Sequence, residues 1–268
     1  MFDTLAAFVI ASVIGLVASV IGLGGGFLYV PTLTLMFGLD QKTTVGTSLA
    51  VMIFSSFFAT LVYVRQKRVL GSLALLVVLP AMVFSLIGSW LTTVTDSHIL
   101  VLLFVLVLIL MSLQMLVPSL NILPVLRIGP EVTVTVPSAC GSGTTVRIPY
   151  LHLAAWGALG GLVSGVTGVS GGAFFVPALV VSGVPLHLAV ATSLLAIIPI
   201  SMTGAAVHAT LGQVSLPYLA VYGAGAGIGA FTGASLAPRI PANRIRQVFG
   251  VLLIVIAIIM IQQKVLGS

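Results

Sequence analysis

Apolar residues run along this chain in blocks too long for the strands or amphipathic helices of a water-soluble protein. Four blocks, at roughly residues 5–39, 44–64, 69–94 and 99–117, are followed by four more at 151–184, 188–211, 214–236 and 245–261, with the polar residues gathered at the joints. Such runs predict membrane-crossing helices, and the two-residue alternation of a transmembrane strand is absent from them, which excludes a β-barrel. The first block of each half is too long for a simple crossing. About 35 residues of helix measure about 50 Å, against a hydrocarbon core of about 30 Å. Each long block is broken midway by glycines, at Gly22-Leu-Gly-Gly-Gly26 and at Gly168-Val-Ser-Gly-Gly172.

The two halves are copies. Gly15 to Pro31 returns as Gly161 to Pro177, an offset of 146, and after a one-residue gap an offset of 145 pairs Gly38 with Gly183, Thr47-Ser48-Leu49 with Thr192-Ser193-Leu194 and Ser56 with Ser201. A duplicated, glycine-broken, apolar chain has the sequence outline of a secondary transporter. The expected organisation is a first transmembrane repeat at 1–117, a polar linker at 118–149 and a second repeat at 150–268. Alternating Val and Thr at Val132 to Val136 and the run Thr144 to Ile148 suggest that the linker folds as a short β-hairpin.

Composition supports the membrane reading: 59% of the 268 residues are hydrophobic and 5% are charged, whereas about a quarter of a soluble domain is charged. The net charge of +6 would favour nucleic acid only if clustered on a wet surface, and no nucleic-acid partner is expected. Charge placement instead reports topology. If each broken block crosses once, the basic turns Arg65 to Arg68 and Arg239 to Arg246 fall on opposite faces. If it enters and returns, they share a face, together with Arg127 and Arg147, and Lys42 and Lys264 stay outside with Asp3, Asp40 and Asp96. The second arrangement obeys the positive-inside rule. The expected fold is therefore an all-α polytopic membrane protein of two inverted-topology repeats, each a broken, re-entrant hairpin followed by three transmembrane helices. Both termini are placed in the periplasm and the linker in the cytoplasm. Parallel repeats with accidental charge placement are the alternative. No removable signal peptide is read, and Cys140, the one cysteine, permits no intrachain disulfide.

Backbone groups freed by a helix break cannot stay unpaired in hydrocarbon, so the breaks should line a central cavity. Helices restarting near Gly24 and Ser170 would aim amide dipoles into it, where an anion is stabilised. The candidate substrate-binding residues are Gly24, Gly25, Gly26, Thr47, Ser48, Ser170, Gly171, Gly172, Thr192 and Ser193. The competing readings are tight helix crossing for the glycines and capping or back-bonding for the hydroxyls. The glycine run Gly223 to Gly233 fits packing better. His208, aligned with Tyr63, is a candidate for proton coupling or substrate contact, with a satisfied interfacial histidine as the plainer reading. No catalytic residue, metal site or cofactor is expected, since nucleophile–base pairs, paired carboxylates and metal-ligand spacings are missing.

Taken together, Gly-Leu-Gly-Gly-Gly-Phe-Leu-Tyr-Val-Pro31, Val45-Gly-Thr-Ser-Leu49, the Arg65 to Arg68 turn, Gly168-Val-Ser-Gly-Gly172 and Ala191-Thr-Ser-Leu194 resemble the TauE/SafE sulfite exporter family of bacterial inner-membrane permeases. The resemblance implies a cell inner membrane location, no cofactor, and transport, mainly outward, of sulfite, sulfoacetate or related organosulfonates. The expected partners are such an anion and the lipid bilayer, with room for a homodimer. The break sequences differ, Leu-Gly-Gly-Gly against Val-Ser-Gly-Gly, so the two half-sites need not be equal. An anion channel or a membrane assembly subunit that transports nothing remains an alternative.

Overall fold

The computed structural model describes residues 2–116, 130–136 and 144–239, with positions 241, 247, 251, 254, 255, 257, 258 and 262. Most of the linker, Cys140, Arg127, Arg244, Arg246, Lys264 and most of the last apolar block lie outside the described residues. Among those described, nine α-helices and one β-hairpin form. The first half holds α1 (Phe2–Ile21), α2 (Gly26–Leu35), α3 (Gln41–Arg65), α4 (Gly71–Val94) and α5 (Ser97–Leu116). After β1 (Glu131–Val136) and β2 (Thr144–Pro149) come α6 (Tyr150–Thr167), α7 (Gly172–Val181), α8 (Leu186–Thr210) and α9 (Leu216–Leu236), closed by a 3-10 turn at Ala237–Arg239.

Among the described residues, five helices are long and apolar enough to cross a membrane. This is a mostly helical, multi-pass membrane protein. Leu75, Leu79, Val83 and Trp90 of α4 are more than half exposed, a surface that lipid solvates and water would not. The 10-residue helices α2 and α7 reach about 15 Å, half the hydrocarbon core.

The breaks fall where the glycines are, and the helices restart two residues later than expected, at Gly26 and Gly172. In the first break the cause is backbone sign: Gly22, Gly24 and Gly25 hold φ of 83°, 68° and 98°, which L side chains rarely adopt and a right-handed helix cannot contain. In the second, only Gly168 is left-handed, at 71°.

Glycine also sets the helix crossings. Gly225, Gly229 and Gly233 of α9 press against the Phe8, Ser12 and Leu16 carbonyls of α1, so the two helices run in the same direction. Gly157, Gly161 and Gly165 of α6 press likewise against Val77, Ala81 and Ser85 of α4. Phe54 and Phe58 of α3 pack on Gly223 and Gly227 of α9, again in the same order. Ser85 Oγ donates to the Ile200 carbonyl at 3.2 Å while Ser89 Oγ lies by Gly204, so α4 and α8 run together. By contrast α3 and α8 oppose one another, with Gly46 at His208 and Leu49 at Gly204.

The strands pair antiparallel, with Val134 opposite Val146. β2 leads straight into α6, and Val146 rests by Gly183 at the turn between α7 and α8.

Candidate functional site

The two breaks meet. Gly26 packs on the Gly168 carbonyl, Gly172 on the Gly22 carbonyl, and Gly24 on the Ser170 side chain. Ser170 Oγ donates to the Leu23 carbonyl across the same contact. Residues 21–31 and 164–173 are all buried. The cavity expected from the sequence is therefore closed, and the breaks fill it with each other.

Hydroxyls knit the crossing together in a reciprocal pattern. Ser48 Oγ on α3 donates to the Gly168 carbonyl of the opposite half at 3.1 Å, and Ser193 Oγ on α8 donates to the Gly22 carbonyl at 2.8 Å. These carbonyls end α6 and α1, where no helical N–H can reach them, so each serine supplies the donor the break removed. The threonines do the converse. Thr47 Oγ1 accepts from the Ser215 amide at 3.0 Å and Thr192 Oγ1 from the Leu70 amide at 3.1 Å. Ser215 and Leu70 are the N-caps of α9 and α4. Each threonine thus satisfies an exposed helix-start amide of the other half and keeps its own O–H as a donor.

The remaining candidates fall into two settings. The tip of the Tyr29 ring lies against Gly25 and that of the Phe175 ring against Gly171, so at both positions an aromatic ring takes the space a Cβ would need. Among the described residues, the amides of Gly24, Ser170 and Gly171 have no acceptor. Apart from Asp3, α1, α2, α6 and α7 carry no Asp, Glu, Lys or Arg; the field at the crossing comes from these amides and from the starts of α2 and α7. Tyr63 and His208 sit away from it. Tyr63 Oη donates to the Ser19 carbonyl of α1 at 3.0 Å. His208 Nδ1 lies 2.8 Å from Gln213 Oε1, and its ring faces the Gly165 carbonyl of α6, although Nε2 closes no hydrogen bond of good geometry. Gly165 occupies the position that Ser19 holds in the first half.

Ser55, whose Oγ donates to the Gly24 carbonyl at 2.9 Å, was not legible as a site residue, because its counterpart Ile200 breaks the repeat. No three His, Cys, Asp or Glu side chains come together among the described residues to form a metal donor set.

A family model described as "Sulfite exporter TauE/SafE" matches residues 7–260. A "Probable membrane transporter protein YunE" from Bacillus subtilis is 29% identical over 262 residues, covering 93% of this chain and 96% of that protein. A second Bacillus subtilis protein, "Probable membrane transporter protein YdhB", is 28% identical over 85% of this chain and 88% of its own. "Probable membrane transporter protein MJ0441" of Methanocaldococcus jannaschii is 27% identical over 73% of this chain and 68% of its own length. No solved structure matches the chain significantly. A duplicated chain of long apolar helices, matched by this family over nearly its whole length, belongs to the TauE/SafE sulfite exporter family of membrane transporters.

Proposed function

We propose that the chain is a secondary transporter that exports sulfite, sulfoacetate or a related small organosulfonate by alternating access, holding the anion where the two glycine breaks meet. The observation that carries this reading is the convergence of the α2 and α7 starts on one buried contact, with the Gly24, Ser170 and Gly171 amides unpaired. Amides at helix starts stabilise an anion without a fixed cation that would hold it too tightly to release. Around them stand Gly25, Gly26, Gly172, the Thr47 and Thr192 hydroxyls and, on release from their carbonyls, Ser48 and Ser193. The tight closure of the breaks supports a carrier over an open channel. Net negative charge leaves a negative interior spontaneously, so uniport suffices for export.

Inverted repeats support the same mechanism. Exchanging the halves turns the pair α1 and α9 into α6 and α4, and both pairs run in the same direction, whereas α3 and its copy α8 oppose one another. Those directions gather Arg65, Lys67, Arg68 and Arg239 at one end of the bundle and leave Lys42, Asp40 and Asp96 at the other, where Lys42 Nζ reaches the Thr93 carbonyl at 3.4 Å. The basic end, with the hairpin, is the cytoplasmic one in this reading. The matched settings of Tyr63 and His208, each facing a carbonyl of the broken helix beside it, favour a bracing role for both over proton transfer. His208→Gln is then expected to leave the pH profile of flux unchanged.

The test is efflux from proteoliposomes loaded in turn with sulfite, sulfoacetate and acetate. Saturable loss of the sulfur anions, faster than from empty liposomes and slower for acetate, is expected. Equal leakage with and without protein would overturn the reading.

A further inference from the structure

Resting on that transport reading, we infer that Ser56 of α3 and Ser201 of α8, outside the repeated glycine and Thr-Ser motifs, are a further pair of hydroxyls that receive the oxyanion's oxygens. Both side chains are fully buried, and neither Oγ has a hydrogen-bond partner. That is unusual for serine in an apolar helix, which normally satisfies its hydroxyl on the carbonyl three or four residues back. Ser12, Ser19, Thr203 and Thr232 of this chain do so. A buried hydroxyl left unpaired is destabilising, so two of them call for an explanation.

The explanation lies in their placement. Ser56 and Ser201 occupy the same position in the two copies. Every other unpartnered hydroxyl among the described residues, on Tyr29, Thr60, Ser89, Ser164 and Tyr222, has an apolar residue at the corresponding position of the other half. Ser56 lies one helical turn beyond Met52, whose sulfur packs on Gly26. Ser201 lies one turn beyond Ile197, whose Cδ1 packs on Gly24 and Gly172. Residues four apart share a helix face, so both hydroxyls stand on the sides of α3 and α8 that carry the breaks. The hydroxyls closer to the breaks are committed already, Ser48, Ser55, Ser170 and Ser193 each donating to a carbonyl. One uncommitted donor from each half, beside a crossing of unpaired amides, fits a small oxyanion that presents several oxygens to neutral donors.

Efflux kinetics of sulfite and of sulfoacetate in proteoliposomes test this, comparing the wild-type protein with Ser56→Ala, Ser201→Ala, the double variant, and Ser89→Ala as an unpaired buried serine outside the pair. Each single alanine is expected to raise KM about tenfold and the double about a hundredfold, as loss of hydrogen bonds to a charged group implies. The unfolding temperature without anion should not fall, Ser56→Thr and Ser201→Thr should restore KM, and Ser89→Ala should leave it unchanged. A double alanine variant with wild-type KM would overturn the inference, as would an equal loss in the threonine variants. Wild-type protein that moves neither anion would instead overturn the transport reading beneath it.

Discussion

Ser48 and Ser193 show what a single hydroxyl does at a helix break. Each donates to a carbonyl that its own helix has abandoned, so replacing either with alanine leaves an acceptor unpaired inside hydrocarbon. A loss of about 1–3 kcal/mol is expected for each, read as a fall in the unfolding temperature of the detergent-purified protein, with similar falls because the two bonds are copies. Lys67 makes the opposite case. It ends α3 with a φ of 55°, the one non-glycine residue with positive φ among those described, whereas Gly212 fills the same position after α8 with 68°. The closure is otherwise the same, Arg68 N–H to the Tyr63 carbonyl at 3.0 Å and Gln213 N–H to the His208 carbonyl at 2.8 Å. Lys67→Gly should relieve left-handed strain and stabilise the protein by about 1 kcal/mol, visible as a higher unfolding temperature. Sequence marked Thr47, Ser48, Thr192 and Ser193 through their repetition, but not their partners. Those partners are carbonyls and amides of the other half, and a backbone group leaves no trace in residue identity.

Elements were the most legible level. A block of about 35 apolar residues interrupted by glycines had to break, and it breaks at Gly22 to Gly25 and at 168–171. The exact restart at Gly26 and Gly172 depended on φ signs that the sequence does not reveal, because Gly171, though glycine, is right-handed. The packing role read for Gly223 to Gly233 is carried through by close approach of α9 to the α1 carbonyls. Gly229→Ala would drive a methyl group into the Ser12 carbonyl and Gly161→Ala into the Ala81 carbonyl. Each should destabilise by about 1–3 kcal/mol as overpacking. Gly71→Ala, at the start of α4 with nothing within 4 Å, should be neutral or slightly stabilising, and thermal unfolding of the three variants side by side checks the contrast.

At the scale of the whole molecule, duplication was plain from the sequence, but the way the copies embrace was not. Periodicity gives a helix its apolar face and cannot say which helix will cover it. The glycine-to-carbonyl contacts join α1 to α9 and α4 to α6, so each close-packed pair takes one helix from each half. Rocking one half against the other would tear both pairs apart. On the alternating-access proposal, bodies that move as units are better drawn across the halves, around α1 with α9 and α4 with α6, and the contact that would have to yield is the one between the breaks. A Cβ at Gly24 would lie 3.1 Å from the Ser170 Cβ, about 0.4 Å short of the ~3.5–4.5 Å that a disulfide spans, so a small parting of the two breaks admits the bond. The most direct measurement is efflux of radiolabelled sulfoacetate, which unlike sulfite does not cleave disulfides, from proteoliposomes carrying Gly24→Cys with Ser170→Cys on a Cys140→Ser background. Oxidation should arrest flux and dithiothreitol should restore it; full cross-linking with undiminished flux would contradict passage of the anion between the two breaks.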